Sequence, residues 1–108
     1  MGVFSSTGAT PVEDESTLLE NYSLSQNYPN PFNPSTTIRF KIKSAGNVKL
    51  RVFNAIGELV ETLVDRDLKV GTHEIFFEAS NKNLSSGIYY YRITSSSFVK
   101  TMKMILIK

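Results

Sequence analysis

Six stretches between residues 36 and 108 alternate apolar and polar side chains with a period of two. In the stretch TTIRFKI, Ile38, Phe40 and Ile42 fall on one side of an extended chain, and Arg39 and Lys41 fall on the other. This period is that of a strand with one buried face, because successive side chains of a strand point to opposite sides. A chain with this pattern folds into sheets rather than helices.

Glycines separate these stretches at intervals that suit hairpins. Gly46, Gly57, Gly71 and Gly87 stand between them, and glycine adopts the positive φ angles of tight turns without steric cost. Six to seven short strands with turns at this spacing predict an all-β, antiparallel sandwich. The segment ELVETLV, residues 58–64, also has the spacing of a helix, and we expect it to be a strand.

The composition of the chain excludes several classes of protein. It has 108 residues, the size of one domain, with 41% hydrophobic residues and no cysteine. Without cysteine there is no thiol nucleophile, no iron–sulfur cluster and no cysteine-bound zinc. The fold therefore depends on its hydrophobic core.

Charge is distributed unevenly along the chain. Residues 1–20 carry Glu13, Asp14, Glu15 and Glu20 and no basic side chain, whereas the rest carries twelve basic and six acidic ones, a net charge of +6. The first segment is also rich in Ser, Thr and Gly without apolar periodicity. We therefore predict a flexible acidic linker over residues 1–23 and a folded domain over residues 24–108, joined covalently to an upstream protein.

No constellation of residues predicts catalysis or metal binding. Glu74 and Glu78 would lie about 13 Å apart on a strand, beyond the roughly 5 to 10 Å of glycosidase pairs. His73 is the only histidine, and Lys69 follows Asp65 and Asp67 where a calcium loop needs an oxygen ligand. We expect a non-enzymatic protein with no cofactor and no metal.

Nucleic acid and membrane are not expected partners either. Sheets that bind single-stranded nucleic acid combine basic charge with exposed stacking aromatics, and only Phe76 and Tyr90 clearly fall on an outer face. No apolar stretch approaches the 18 or so residues of a membrane span. One alternative stays open: Tyr22, Tyr28 and Phe32 lie in a loop-like stretch and could form a flat platform for a carbohydrate.

The most distinctive segment is LSQNYPNPFNPSTTIRF, residues 24–40. Pro29, Pro31 and Pro34 fix φ and disfavour the helical region for the residues before them. Asn27 and Asn30, like Asn33, are expected to bond to neighbouring backbone. The segment is thus predicted to be a rigid, irregular clasp leading into the first long strand.

This segment resembles the opening of the type A C-terminal sorting domains carried by cargo of the type IX secretion system in the Bacteroidetes and related bacteria. The resemblance continues at VKLRVFNAIGELVETLV, at VGTHEIFFEASNKNLSSGIYYYRI and at VKTMKMILIK, and together these motifs cover residues 24–108. A weaker likeness is to the immunoglobulin-like domain of the flagellar hook-capping protein.

The resemblance implies an antiparallel, immunoglobulin-like β-sandwich of about seven strands that serves as a secretion signal. Its implied partners are the outer-membrane type IX translocon and a sortase-like protease, and its cargo passes through the periplasm to the cell surface or medium. The alternative is a structural or carbohydrate-binding accessory module of an extracellular enzyme.

The residues that the resemblance nominates for partner recognition lie in the last two strands. They are Gly87, Tyr89, Tyr91, Lys100, Lys103, Ile105, Leu106 and Lys108. The final stretch is basic and apolar, and we expect it to form a sheet edge whose backbone groups remain available to a partner.

Overall fold

The computed structural model of the chain describes residues 22–80 and 82–108. These residues contain seven strands and no helix. The strands in chain order are β1 (Ser23–Leu24), β2 (Ser35–Ile42), β3 (Gly46–Asn54), β4 (Leu59–Leu68), β5 (Gly71–Glu78), β6 (Gly87–Ser95) and β7 (Phe98–Leu106).

The strands form two antiparallel sheets. One has the order β1-β2-β5 and the other the order β4-β3-β6-β7. In a seven-stranded immunoglobulin constant domain the fourth strand joins the sheet of the first, second and fifth, whereas here it pairs with the third. The predicted seven-stranded antiparallel β-sandwich is confirmed.

The core lies between the sheets and follows the period of two. On β6, Tyr89, Tyr91 and Ile93 are buried, whereas Ile88 and Arg92 point to the other face. Both sheets supply apolar side chains to a single core cluster, which includes Ile38, Phe40, Ile42, Val48, Leu50, Val52, Val64, Phe77, Met104 and Leu106. Alternation therefore predicted correctly which side chains of these strands face inward.

The ambiguous segment is a strand, and its helix-like spacing has a structural cause. The register between β3 and β4 shifts between Leu50 and Arg51 and again between Val52 and Phe53. Each shift leaves one residue of β4 without a partner, Leu63 in the first case and Val60 in the second. Both pack against the core, so apolar residues recur at three- and four-residue intervals within a strand.

The folded domain begins before the predicted boundary. Ser23 lies in β1 opposite Lys41, and the Tyr22 ring stacks on Phe98 with centroids 5.1 Å apart. The predicted boundary followed the start of the proline-rich segment at Leu24, and the structure places Tyr22 and Ser23 in the folded domain as well. The rest of the predicted linker, residues 1–21, lies outside the described residues.

The burial pattern predicts unequal costs for two leucine truncations. Leu50 is fully buried, and Leu59 is 55% exposed. We expect Leu50→Ala to lower the free energy of unfolding by about 2–5 kcal/mol, because it leaves a cavity in the core. Leu59→Ala, the matched control, should cost less than about 0.5 kcal/mol. Urea unfolding of both variants checks this, and equal costs would contradict the inward placement of β3.

Candidate functional site

The proline-rich segment bonds to both sheets. We call residues 25–34 the proline clasp. The Tyr28 N–H donates to the Thr37 carbonyl at 3.0 Å, and the Thr37 N–H donates back at 2.9 Å, which joins the clasp to β2. Further along the clasp, Phe32 pairs in parallel with Leu106 of β7. The clasp therefore links the first part of the fold to its last strand.

Hydrogen bonds from the clasp cover the outer edge of β7. The Phe32 N–H donates to the Ile105 carbonyl, and the Ile107 N–H donates to the Phe32 carbonyl, both at 2.9 Å. The Asn30 side-chain oxygen accepts from the Ile105 N–H at 3.0 Å, and the Gln26 amide donates to the Lys103 carbonyl at 2.8 Å. The clasp thus acts as an additional, irregular strand beside residues 103–107.

The Phe32 side chain anchors the clasp in the core. It is 1% exposed and packs edge-on against Phe77 of β5, with ring centroids 6.0 Å apart. Two residues later, the Pro34 carbonyl accepts from the Ala79 N–H at 2.9 Å, just beyond the end of β5. Phe32 therefore holds β5 of one sheet and β7 of the other against the clasp.

Buried polar groups fix the conformation of the clasp. The Asn27 side-chain amide donates to the Thr36 hydroxyl at 3.0 Å and to the Pro29 carbonyl at 3.2 Å. The Thr36 hydroxyl in turn donates to the Pro29 carbonyl at 2.9 Å, and the Gln26 amide donates to the Asn27 side-chain oxygen at 2.6 Å. Asn27 and Thr36 are both buried, so each lost bond would leave a polar group unsatisfied.

The Tyr91 hydroxyl joins the clasp to the central strand β6. It donates to the Ser25 carbonyl at 2.7 Å and accepts from the Asn27 N–H at 2.8 Å. Tyr91 is 0% exposed. Burial raises the pKa of Tyr91 to about 12, an effect that the bond from the Asn27 backbone partly opposes.

The eight residues nominated for partner recognition do not share one surface. Tyr89, Tyr91 and Leu106 are buried in the core. Gly87 begins β6 with a φ of 148°, and Ile105 is half-buried. The three lysines are exposed. The buried residues can influence a partner only by positioning the exposed ones.

The lysines of β7 also lie on different faces. Lys100 is opposite Ile93, which points into the core, whereas Lys103 is opposite Tyr90, which points outward. Lys108 follows the strand, and its N–H donates to the Ser86 hydroxyl at 2.9 Å. The basic residues of this strand therefore do not form a single stripe.

β7 is an edge strand, as expected, but much of that edge is occupied. The expectation that its backbone groups remain available is wrong for residues 103–107, because the clasp bonds to them. Ile105 directs its N–H and carbonyl away from β6. Alternate residues of a strand direct these groups to the same side, and the β6–β7 register has no shift, so Thr101 and Val99 also direct theirs away from β6. The open part of the edge lies at these two residues.

The proposed carbohydrate platform is not formed. Phe32 is buried against Phe77, and Tyr22 is half-buried against Phe98. Tyr28 is 80% exposed, and none of the aromatic pairs found in the described residues includes it. The platform prediction was wrong because it took the loop-like stretch to be exposed, whereas the chain inserts Phe32 between the sheets.

Two of the candidate catalytic and metal-binding residues, Glu74 and His73, make structural contacts. Glu74 pairs with Arg39, whose Nε lies 2.9 Å from the carboxylate. His73 stacks on Phe40 with ring centroids 5.5 Å apart, and its Nε2 lies 2.7 Å from the Lys69 carbonyl. In the described part of the chain, no three His, Asp or Glu side chains are grouped so that they could hold a metal ion. No helix there is long and apolar enough to span a membrane.

Sequence reasoning missed the most connected residues of the clasp. Gln26, and Thr36 beside the clasp in β2, were not singled out. Asn27 bonds to nearby backbone as expected, at the Pro29 carbonyl. Asn30, with the same expectation, instead accepts from Ile105, 75 residues away. The concentration of Asn, Gln and Thr around three prolines is a signal for a hydrogen-bonded loop, but it does not name the distant partners.

The chain matches the model of a known family over most of its length. The family model for the secretion system C-terminal sorting domain matches residues 26–108, which begin in the clasp and include β2 to β7. The chain belongs to this family. The resemblance to type IX sorting domains noted from the four motifs is thereby confirmed.

Other comparisons add little to the assignment of this sorting domain. No curated protein matches the chain. Among solved structures, it is similar to the Ig1 domain of mouse SynCAM 2, with 15% sequence identity over 68% of this chain and 80% of that chain and a TM-score of 0.37. The fold of the sorting domain rests on its own strand pairing.

The hydroxyl of Tyr91 predicts an alkaline limit to the stability of the sorting domain. Tyr91→Phe should lower the free energy of unfolding by about 1–3 kcal/mol near pH 7, because it leaves the Ser25 carbonyl and Asn27 N–H unpaired. The folded pKa lies above the ordinary value of 10, so ionisation favours the unfolded wild type as pH rises from 10 towards 12.

The difference in unfolding free energy between wild type and Tyr91→Phe should therefore be constant below pH 10 and shrink above it. Denaturant unfolding of both proteins at several pH values measures this, and the variant corrects for every other titrating group. A difference that stays constant up to pH 12 would contradict the buried, bonded hydroxyl.

Proposed function

We propose that this domain is a non-catalytic signal that directs an exported, covalently attached upstream cargo through the type IX secretion system. In this proposal the cargo crosses the periplasm and reaches the cell surface or medium. The observation that carries the proposal is the family match over residues 26–108, which covers the clasp from Gln26 onward and six of the seven strands. The outer-membrane translocon reads the folded domain, and a sortase-like protease later separates it from the cargo.

The proposal divides the nominated residues into two roles. Lys100, Lys103 and Lys108 are exposed and would contact the machinery, together with the accessible part of Ile105. Tyr89, Tyr91 and Leu106 are buried, with Gly87 at the start of β6, and they would position β7 and the clasp. A partner with an acidic surface fits the exposed group, because these lysines have no acidic residue after them or between them.

The edge of β7 offers a second element of recognition. Val99 is 57% exposed, and the outward backbone groups of Val99 and Thr101 extend past the part that the clasp covers. A strand from the translocon could extend the four-stranded sheet here, with lysines on both faces limiting unspecific pairing. The clasp would then set where that added strand begins.

A reporter fusion tests the sorting function itself. The full chain is fused to the C-terminus of a periplasmic reporter in a host that has a type IX system. We expect the fused reporter to appear at the surface or in the medium, while the unfused reporter stays in the periplasm. Retention of both in the periplasm, with the fusion intact, would refute the proposed function.

Charge variants of the same fusion test the recognition surface. Neutralising Lys100, Lys103 and Lys108 to Gln should lower export towards that of the unfused reporter, because it removes the exposed charge without disturbing the core. The matched control changes Lys41, Lys49 and Lys69 to Gln, an equal loss of charge outside β7. Equal export of the two triple variants would refute the role of the β7 lysines.

A further inference from the structure

The outer face of the four-stranded sheet carries a group of basic side chains that have no acidic partner among residues 22–80 and 82–108. Arg51 on β3, Arg92 on β6 and Lys103 on β7 all point away from the core, since their sequence neighbours are buried or, for Met102, pack against the core. Neither ion pair found in the described residues includes any of them. We call these three residues, with Phe53 and Tyr90 between them, the basic patch.

The geometry of the basic patch favours an anion. Arg51 and Arg92 are directly opposite each other on adjacent strands, an arrangement in which like charges destabilise a sheet. Arg92 lies over the Phe53 ring, 4.6 Å from its centroid, which holds the guanidinium on the sheet surface. The Nε of Arg51 is buried and has no hydrogen-bond partner in the described residues. An acidic group placed over this pair would relieve the repulsion.

The acidic residues of the same face do not neutralise the patch. Asp65 on β4 is opposite Lys49, and Asp67 is opposite Asn47, so both lie towards one end of the sheet. On the other sheet, by contrast, Arg39 is paired with Glu74 directly across from it. The positive charge without an acidic partner therefore lies at the centre of the four-stranded sheet.

The chain enters the fold close to this patch. Tyr22, the first described residue, lines one cavity with Lys49 and Thr94. Lys49 and Thr94 are opposite each other, two residues before Arg51 and two after Arg92 on their respective strands. The patch therefore begins about 7 Å further along the sheet.

The segment that precedes Tyr22 is complementary in charge and long enough. Residues 13–20 hold Glu13, Asp14, Glu15 and Glu20 and no basic residue. An extended chain spans up to about 3.3–3.6 Å per residue, so the seven residues from Glu15 to Tyr22 can cover roughly 25 Å. We propose that residues 13–20 dock on the basic patch of their own domain, with their carboxylates over Arg51, Arg92 and Lys103.

This contact is electrostatic and conditional. Exposed charges are screened by salt, so the docked segment is released at high ionic strength. Release uncovers Lys103, which the patch shares with the exposed part of β7. The acidic segment thus competes with any other anionic group for this face of the sandwich.

A spin label tests the docking in the full chain. Because the chain has no cysteine, Ser16→Cys provides a unique site for a nitroxide within the acidic segment. We expect the label to broaden the amide signals around Arg51, Arg92 and Lys103 but not those of Thr37 on the other sheet. The broadening should disappear in about 0.5 M salt, where the Debye length falls below about 5 Å.

Two sets of variants identify the groups responsible. Neutralising the four acidic residues to Gln or Asn, or changing Arg51 and Arg92 to Gln, should remove the broadening. The matched control, Arg39→Gln with Lys41→Gln, removes the same charge from the other sheet and should retain it. Broadening that survives neutralisation of the acidic residues, or that is equal on both sheets, would overturn the proposal.

Other occupants of the patch give distinct results. In one test, spin-labelled chain is mixed with isotope-labelled chain that carries no nitroxide. Broadening of the isotope-labelled signals would show that the acidic segment docks on a second copy, and this would overturn docking within one chain. Titration with anionic phospholipid vesicles is the other test. If the wild type and the chain with neutralised acidic residues bind the vesicles equally, the acidic segment does not occupy the patch. This result would also overturn the proposal.

Discussion

The insertion of Phe32 between the two sheets is the contact on which the rest of the structure depends. Its ring packs against Phe77 of β5, and its N–H and carbonyl bond to Ile105 and Ile107 at the end of the chain. One residue therefore connects the proline clasp, the edge of the three-stranded sheet and the last strand. Removing it would separate the terminal strand from the segment that covers its edge.

Polar burial makes this connection specific. Asn27 and Thr36 are buried beside the Tyr91 hydroxyl, and their bonds are satisfied only when the clasp follows its observed path. An apolar loop could cover the same strands in many conformations. In the clasp, conformations other than the observed one would leave buried polar groups without hydrogen bonds, which is costly. The free-energy cost of these other conformations explains why the clasp holds a defined position although it does not pair as a regular strand.

The sequence predicts the strands well because their signal is local. Alternation within β2, β3 and β6 identifies both the elements and their buried faces, and even the irregular β4 is found despite two register shifts. The clasp is found as a motif, but its partners are not. Gln26 bonds to Lys103 and Asn27 to Tyr91, contacts between residues 77 and 64 positions apart. No local pattern encodes such distances, so Phe32 was placed at the surface.

Hydrogen exchange of individual amides in β7 tests the central role of the clasp most directly. The Ile105 and Ile107 amides bond to Asn30 and Phe32, whereas the Thr101 amide points to the same edge beyond the clasp. We predict that Ile105 and Ile107 exchange orders of magnitude more slowly than Thr101, and that Phe32→Ala removes this difference. Equally fast exchange of all three in the native domain would contradict the account.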